Sequence, residues 1–132
     1  MILVSLLKHL ENNGFGRIDK NLFWGKMGLD DIGVYVSEIG DPGVRGVRRS
    51  IQYELYSRGN DDVSGYKQLS SIVEFLNSQY ANCTLPSVRK PNGDLLAKGF
   101  DHVTIMPLST ITNAGADLNG RTIYMATGRI YY

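Results

Sequence analysis

The 132-residue chain has one cysteine, two histidines, four prolines and a net charge of only +1, and each scarcity removes a class of function. With Cys83 alone, no disulfide forms within the chain and a cysteine-rich zinc site is excluded, so Cys83 is expected to be a buried reduced thiol. Asn82-Cys83-Thr84 is formally a glycosylation acceptor, although nothing else in the sequence points to secretion. His9 and His102 lie far apart, and neither has a second ligand at metal-binding spacing. His9 falls on the polar side of a helical pattern and is expected to be solvated. Asp101 should point to the opposite face of a strand from His102. A charge of +1 is too small for a dedicated nucleic-acid binder, whose affinity comes mainly from neutralised phosphates, although a local basic patch stays open. Long apolar runs are missing as well. The opening MILVSLLKHLENNG is interrupted by Lys8, His9 and Glu11, is too short to span a bilayer, and lacks a basic leader and cleavage site. It reads as the first helix of a cytoplasmic protein.

Catalytic motifs are equally scarce. There is no G-x-S-x-G elbow and no P-loop, and GFGRIDKNLFWGKMG resembles a phosphate-binding loop only in composition, without the flanking strand and helix. Asp30-Asp31 and Asp61-Asp62 fall at turn or cap positions. No catalytic, cofactor-binding or metal-binding residue is expected, and the chain does not read as an enzyme.

The length predicts a single domain over residues 1–132, large enough to bury roughly two-thirds of its unfolded surface. Hydrophobic content of 42% and charged content of 20% are ordinary for a globular protein. Ile2, Leu3, Leu6, Leu7 and Leu10 recur at helical spacing, and Asn13-Gly14 is a plausible stop. Leu22-Phe23-Trp24 suits a short strand. From Asp31 to Ile39 apolar and other residues alternate, giving a strand that Asp41-Pro42-Gly43 should break. A second strand is expected from about Val47 to Ser57, with Ile51, Tyr53 and Leu55 on one face and Gln52, Glu54 and Tyr56 on the other. Asp61 or Asp62 should cap a second helix with Tyr66, Leu69, Ile72, Val73, Leu76 and Tyr80 on one stripe. KPNGDL marks a hairpin. Two further strands are expected, Phe100 to Ile111 and Arg121 to Tyr131, joined by the turn-rich TNAGADLNG. The order is helix, two or three strands, helix, three or four strands. It implies an α+β fold, an antiparallel or mixed sheet with two helices packed on one face.

Two features ask for a function. Arg45, Arg48 and Arg49 crowd into five positions of a nearly neutral chain. Eight tyrosines are many for this length, and Tyr35, Tyr53, Tyr56, Tyr124, Tyr131 and Tyr132 fall on strands. Sheet tyrosines either stack on bases or serve as amphipathic contact surface between proteins; half-burial in the sheet is the plainer reading.

A leucine-rich helix ending at ENNGFG is followed by NLFWGKMG, the strand DIGVYVSEIGDPG, then IQYELYSRGNDD and the helix GYKQLSSIVEFLN. This order of segments resembles that of the small minor capsid and tail-terminator proteins of long-tailed bacteriophages, the head–tail joining proteins. The resemblance runs through most of the chain and rests on texture more than on a fixed motif. It implies a structural virion protein, made in the bacterial cytoplasm and placed at the head–tail junction. Such proteins form a ring, commonly a hexamer, on top of the tail tube, ending its polymerisation and joining it to the head. The implied partners are further copies of the chain, the tail-tube protein, a head-completion or connector protein, and genomic DNA passing through the lumen. No cofactor and no membrane are implied. Two alternatives stand beside it: a head-completion or stopper connector, and a small nucleic-acid-binding α+β module. In a ring, Arg45, Arg48 and Arg49 would form an assembly arm on a long excursion between strands, or line the lumen; a solvated hairpin tip is the plainer alternative. Ile130, Tyr131 and Tyr132 would end a strand that pairs edge-on with a partner.

Overall fold

A computed structural model describes residues 2–45, 48–80 and 83–132, without the side chains of 40–48. Helix α1 spans Ile2–Asn12. Its leucine spacing puts Leu3, Leu6, Leu7 and Leu10 on one face, and all four are buried, each contributing about 2 kcal/mol of apolar transfer energy. The amide of Phe15 closes the helix on the carbonyl of Leu10. Helix α2 spans Asp62–Ser78 and starts at Asp61, whose carboxylate accepts from the Ser64 amide at 2.7 Å. Ser64 returns the favour, its hydroxyl accepting from the Asp61 amide, so two orphan donors of the first turn are satisfied. Leu69, Ile72 and Leu76 form the buried stripe, while Tyr66 and Tyr80, expected on it, are exposed at its ends.

Among the described residues nine strands accompany the helices: β1 (Leu22–Trp24), β2 (Gly33–Arg45), β3 (Arg48–Arg58), β4 (Cys83–Leu85), β5 (Val88–Arg89), β6 (Leu95–Ala97), β7 (Phe100–Ile105), β8 (Thr112–Ala116) and β9 (Thr122–Tyr131). The main sheet runs β1-β2-β3-β9-β7-β4, with β8 also pairing β9, while β5 and β6 form a separate hairpin. Only β1–β2 is parallel among these pairings, so the sheet is mixed. The fold is α+β, with both helices on one face of the sheet. Val34 and Val36, Ile51, Tyr53 and Leu55, and Ala126 and Ile130 meet the helices in one core cluster. Gly128 sits on β9 opposite Tyr53, where a Cβ would lie 2.6 Å from the phenol oxygen; glycine makes room for the largest buried side chain.

Four expectations are corrected. The strand β2 does not end at Asp41-Pro42-Gly43. Ile39 pairs with Gln52 and Gly43 with Ser50, so four steps on β2 match two on β3, and the ladder slips and resumes. Proline, which has no N–H to give, is tolerated where the ladder is already interrupted. The strand from Phe100 stops at Ile105 rather than Ile111. Part of TNAGADLNG is itself a strand, β8, held by Thr112↔Met125 and Asn113↔Tyr124. At Asp101-His102 the alternation of faces fails: Cys83 faces Val103 and Leu85 faces Phe100, three steps against two, and His102 takes φ 57. Asp101 and His102 are both exposed in this bulge.

Candidate functional site

Among the described residues no group of three metal-binding side chains exists, and no helix is long and apolar enough to cross a membrane. One histidine does meet the cysteine. His9 is half-buried rather than fully solvated: its ring packs on Phe75 at 5.4 Å, and Nε2 lies 3.8 Å from Cys83 Sγ, with Gln79 Oε1 3.9 Å from the same sulfur. Burial pushes the Cys83 thiol up. Burial also lowers His9, against a hydrogen bond to Gln79 that raises it. Both groups are therefore neutral at pH 7, the opposite of the thiolate–imidazolium pair that makes a cysteine nucleophilic.

This contact has a pH consequence. The unfolded chain takes up the His9 proton near pH 6.5 and the folded chain only at lower pH. The contribution is therefore complete above the unfolded value and is lost as pH falls towards the folded one. Urea denaturation at pH 7.5 and 5.5 should show a larger acid-induced loss for the native chain than for His9→Gln. Equal losses would contradict this placement of His9.

Strands β2, β3 and β9 run the length of the molecule, and their two ends differ in chemistry. At the end marked by the row Gly33–Arg58–Ile123, Arg58 is 6% exposed and holds two loops. Its Nη2 donates to the carbonyls of Gly28 (2.5 Å) and Asp31 (2.6 Å), and its Nη1 lies 3.4 Å from the Asp117 carboxylate. Asp117 also accepts from Arg121 Nε at 2.8 Å and from the amides of Asn119 and Arg121, while Arg121 Nη2 reaches the Leu29 carbonyl at 2.7 Å. For Asp117, burial raises the carboxyl pKa, but those hydrogen bonds outweigh it and keep the group below its ordinary value. The clamped turn presents Leu118 92% exposed beside Leu29, 73% exposed, over a notch of about 180 Å³ that Asp30 and Asn119 help to line. Asp61 and Asp62 open α2 close by in the chain. This end thus carries Asp19, Asp30, Asp31, Asp61, Asp62 and Asp117 against Arg17, Lys20, Arg58, Arg121 and, one turn into α2, Lys67, because the Arg17–Asn21 turn abuts the start of β2.

The opposite end is basic and concave. Arg49 exchanges both backbone hydrogen bonds with Tyr132, each 2.9 Å, which ties down the C-terminal residue. A cleft of about 360 Å³ lies there, lined by the exposed cations Arg49 and Lys98, by Phe100 and Tyr132, and by Ile2 and Glu38. Phe100 meets Tyr132 edge-on at 5.3 Å, and the Lys98 ammonium stands 5.7 Å from the Phe100 ring centre.

Of the three arginines singled out in the sequence, only Arg49 has a described side chain, which is exposed; those of Arg45 and Arg48 lie outside the described residues. The backbone corrects the long excursion. The ladder continues through Val44↔Arg49 to Arg45↔Arg48, leaving only positions 46 and 47 between the strands. The C-terminal strand is corrected too. Ile130 pairs with Ile51 on one side and Ile105 on the other, and Tyr131 with Ser50 and Thr104, so β9 is interior and offers no edge there. Ile130 is fully buried, while Tyr131 and Tyr132 keep partial exposure.

The helix-free face of the sheet carries Tyr35 and Tyr56, whereas Tyr53 lies in the core and Tyr124 and Tyr132 pack against it. Register aligns Phe23, Tyr35, Tyr56 and Met125 in one row across four strands. Tyr35 and Tyr56 stack on each other at 4.7 Å and 9°. Tyr56 donates to Glu54, a bond that pushes its phenol up to about 12. Next along, Arg129 donates to Ser50 and Gln52. The face is amphipathic and of mixed charge.

In comparison with known proteins, no family model and no curated protein matches the chain. Sequence reasoning missed Leu118, Lys98 and Phe100 as surface features. An apolar residue inside the turn Asp117-Leu118-Asn119-Gly120 was a usable signal for the first; the cleft had none, because it is assembled from α1, β3, β7 and the chain end.

Proposed function

We propose that this chain is a structural virion protein of a tailed bacteriophage, a tail terminator that forms a ring at the top of the tail tube. In that role it ends tube polymerisation and joins the tail to the head. The observation that carries the reading is the pair of unlike ends on strands that span the molecule. A closed ring is built from heterologous contacts, so each subunit needs two different complementary surfaces. The segment order described above adds the phage context. The helix-free sheet face suits the tube protein or a head-completion protein, being amphipathic and lined by tyrosine and methionine. A nucleic-acid module is disfavoured by the same face, where Glu54 stands among the tyrosines and the rings of Tyr35 and Tyr56 are occupied by each other. A head-completion connector would use similar ends and differ in what it docks on.

The test is mass by light scattering, for the chain alone and mixed with a candidate tail-tube protein. A closed multimer that binds the tube protein is expected. A chain that ignores tube protein and binds short oligonucleotides, with affinity falling steeply with salt, would overturn the proposal in favour of the nucleic-acid reading.

A further inference from the structure

We infer that successive copies of this chain dock end to end, the Leu118 turn of one copy seating in the Arg49–Lys98 cleft of the next. The inference deepens the ring reading by naming its contact, and it rests on that reading only for closure of the chain of copies.

Three observations converge on it. First, Leu118 is 92% exposed on its turn and Leu29, 73% exposed, lies beside it on the same notch, so the two form a contiguous apolar surface of the kind that marks contact sites. Second, the turn is rigid before docking. Asp117 accepts from the amides of Asn119 and Arg121 and from the Arg121 side chain, and Arg58 locks Asp117 to the loop that carries Leu29. A preformed knob loses little conformational freedom on association. Third, the cleft complements it. The Phe100 and Tyr132 rings supply apolar walls, about 360 Å³ accommodates a leucine side chain with room to spare, and Arg49 and Lys98 line the same cleft as cations.

The charges at the two ends are complementary. The notch at the knob is lined by Asp30 and by Asp117, the latter already paired with Arg58 and Arg121, and the cleft presents Arg49 and Lys98 against Glu38. Asp30, exposed on the notch rim, is the natural partner for a cleft cation. The two ends terminate the same strands: Gly33, Arg58 and Ile123 at one, Ser50 and Tyr131 at the other. Knob and cleft are different surfaces at opposite strand ends, so a contact between them is heterologous, and two copies joined by it retain one free knob and one free cleft. Contacts of this kind close into a ring when the rotation per copy permits, and opposite charge speeds encounter at low salt.

The experiment uses two full-length variants, Leu118→Glu, which spoils the knob, and Arg49→Glu, which spoils the cleft. Both side chains are exposed, so neither change should disturb the fold, and circular dichroism checks that. Sedimentation velocity at 50 mM and 500 mM salt then gives the mass of each alone and of a 1:1 mixture. Native protein should self-associate, more weakly at high salt. Each variant alone should lose at least tenfold in association constant, and the mixture should form a dimer and stop. That limited rescue arises because only one intact knob and one intact cleft remain per pair. Native protein that stays monomeric at both salts, variants that associate normally, or a mixture with no dimer would each overturn the contact. Normal association by native protein that never binds tube protein keeps the contact and removes the tail role. Tube binding by a variant that cannot self-associate keeps the tail role and makes the contact dispensable to it, overturning its place in the ring.

Discussion

Replacing Arg58 with alanine should lower stability by about 3–5 kcal/mol, the usual cost of removing one partner from a buried charge pair. The side chain is 6% exposed and joins β3 to two loops that have few other ties to the sheet. Its removal strands the carbonyls of Gly28 and Asp31, which share its donors at 2.5–3.0 Å, and leaves the Asp117 carboxylate without its nearest buried cation. Lysine in its place keeps the charge but cannot reach two carbonyls and a carboxylate with one ammonium, so Arg58→Lys should recover only part of the loss. Urea midpoints at unchanged slope measure both. A loss below about 1 kcal/mol would mean that the loops are held by something else. The same variant should weaken end-to-end association even under conditions where it is fully folded, because the Leu118 turn would no longer be fixed.

The second large effect is expected at Gly33, at the start of β2. Its φ is +150°, and a Cβ there would lie 2.2 Å from the carbonyl oxygen of Asn21 and 2.7 Å from its carbonyl carbon. Those are backbone atoms, and the Val34 amide donates to that same carbonyl at 2.9 Å, so the neighbour cannot step aside without breaking the junction of β1 with β2. Overpacking and an unfavourable backbone region each cost about 1–3 kcal/mol, and here they act together. Gly33→Ala should therefore lose about 3–5 kcal/mol, or fail to accumulate as folded protein. Gly25→Ala is the control: a Cβ there meets nothing within 4 Å, so only its own positive φ of 86° is penalised. Equal midpoints for the two variants would contradict the close approach.

Much of the fold was legible from local pattern. The helical spacing of Leu3, Leu6, Leu7 and Leu10, the period-two alternation through Ile51, Tyr53 and Leu55, and the Asp61 cap each reflect a rule that acts over a few residues. What was not legible depends on partners distant in sequence. Thr112–Ala116 carries the small polar residues of a turn and becomes a strand only because Thr122–Met125 offers a free edge. Pro42 signals a stop, yet the β2 ladder absorbs it in a slip because β3 continues beneath. His9 sits on the polar side of its own helix but is covered by Phe75 of the other. The alternation through Ile130 and Tyr131 marks a strand without saying how many neighbours it has, and β3 and β7 flank it on both sides. The arginine cluster was visible as a count of charge; the cleft beside Arg49 was not, since Lys98, Phe100 and Tyr132 reach it from separate parts of the chain.

The proposed role at the tip of a tail tube can be tested directly. Tail-tube protein should be polymerised with and without the chain, and tube lengths and tips recorded by negative-stain electron microscopy. Shorter tubes of narrower length distribution are expected, each with a ring of this chain at one tip, and both effects should be lost with Leu118→Glu. Tubes of unchanged length with bare tips, formed beside folded and self-associating chain, would contradict it.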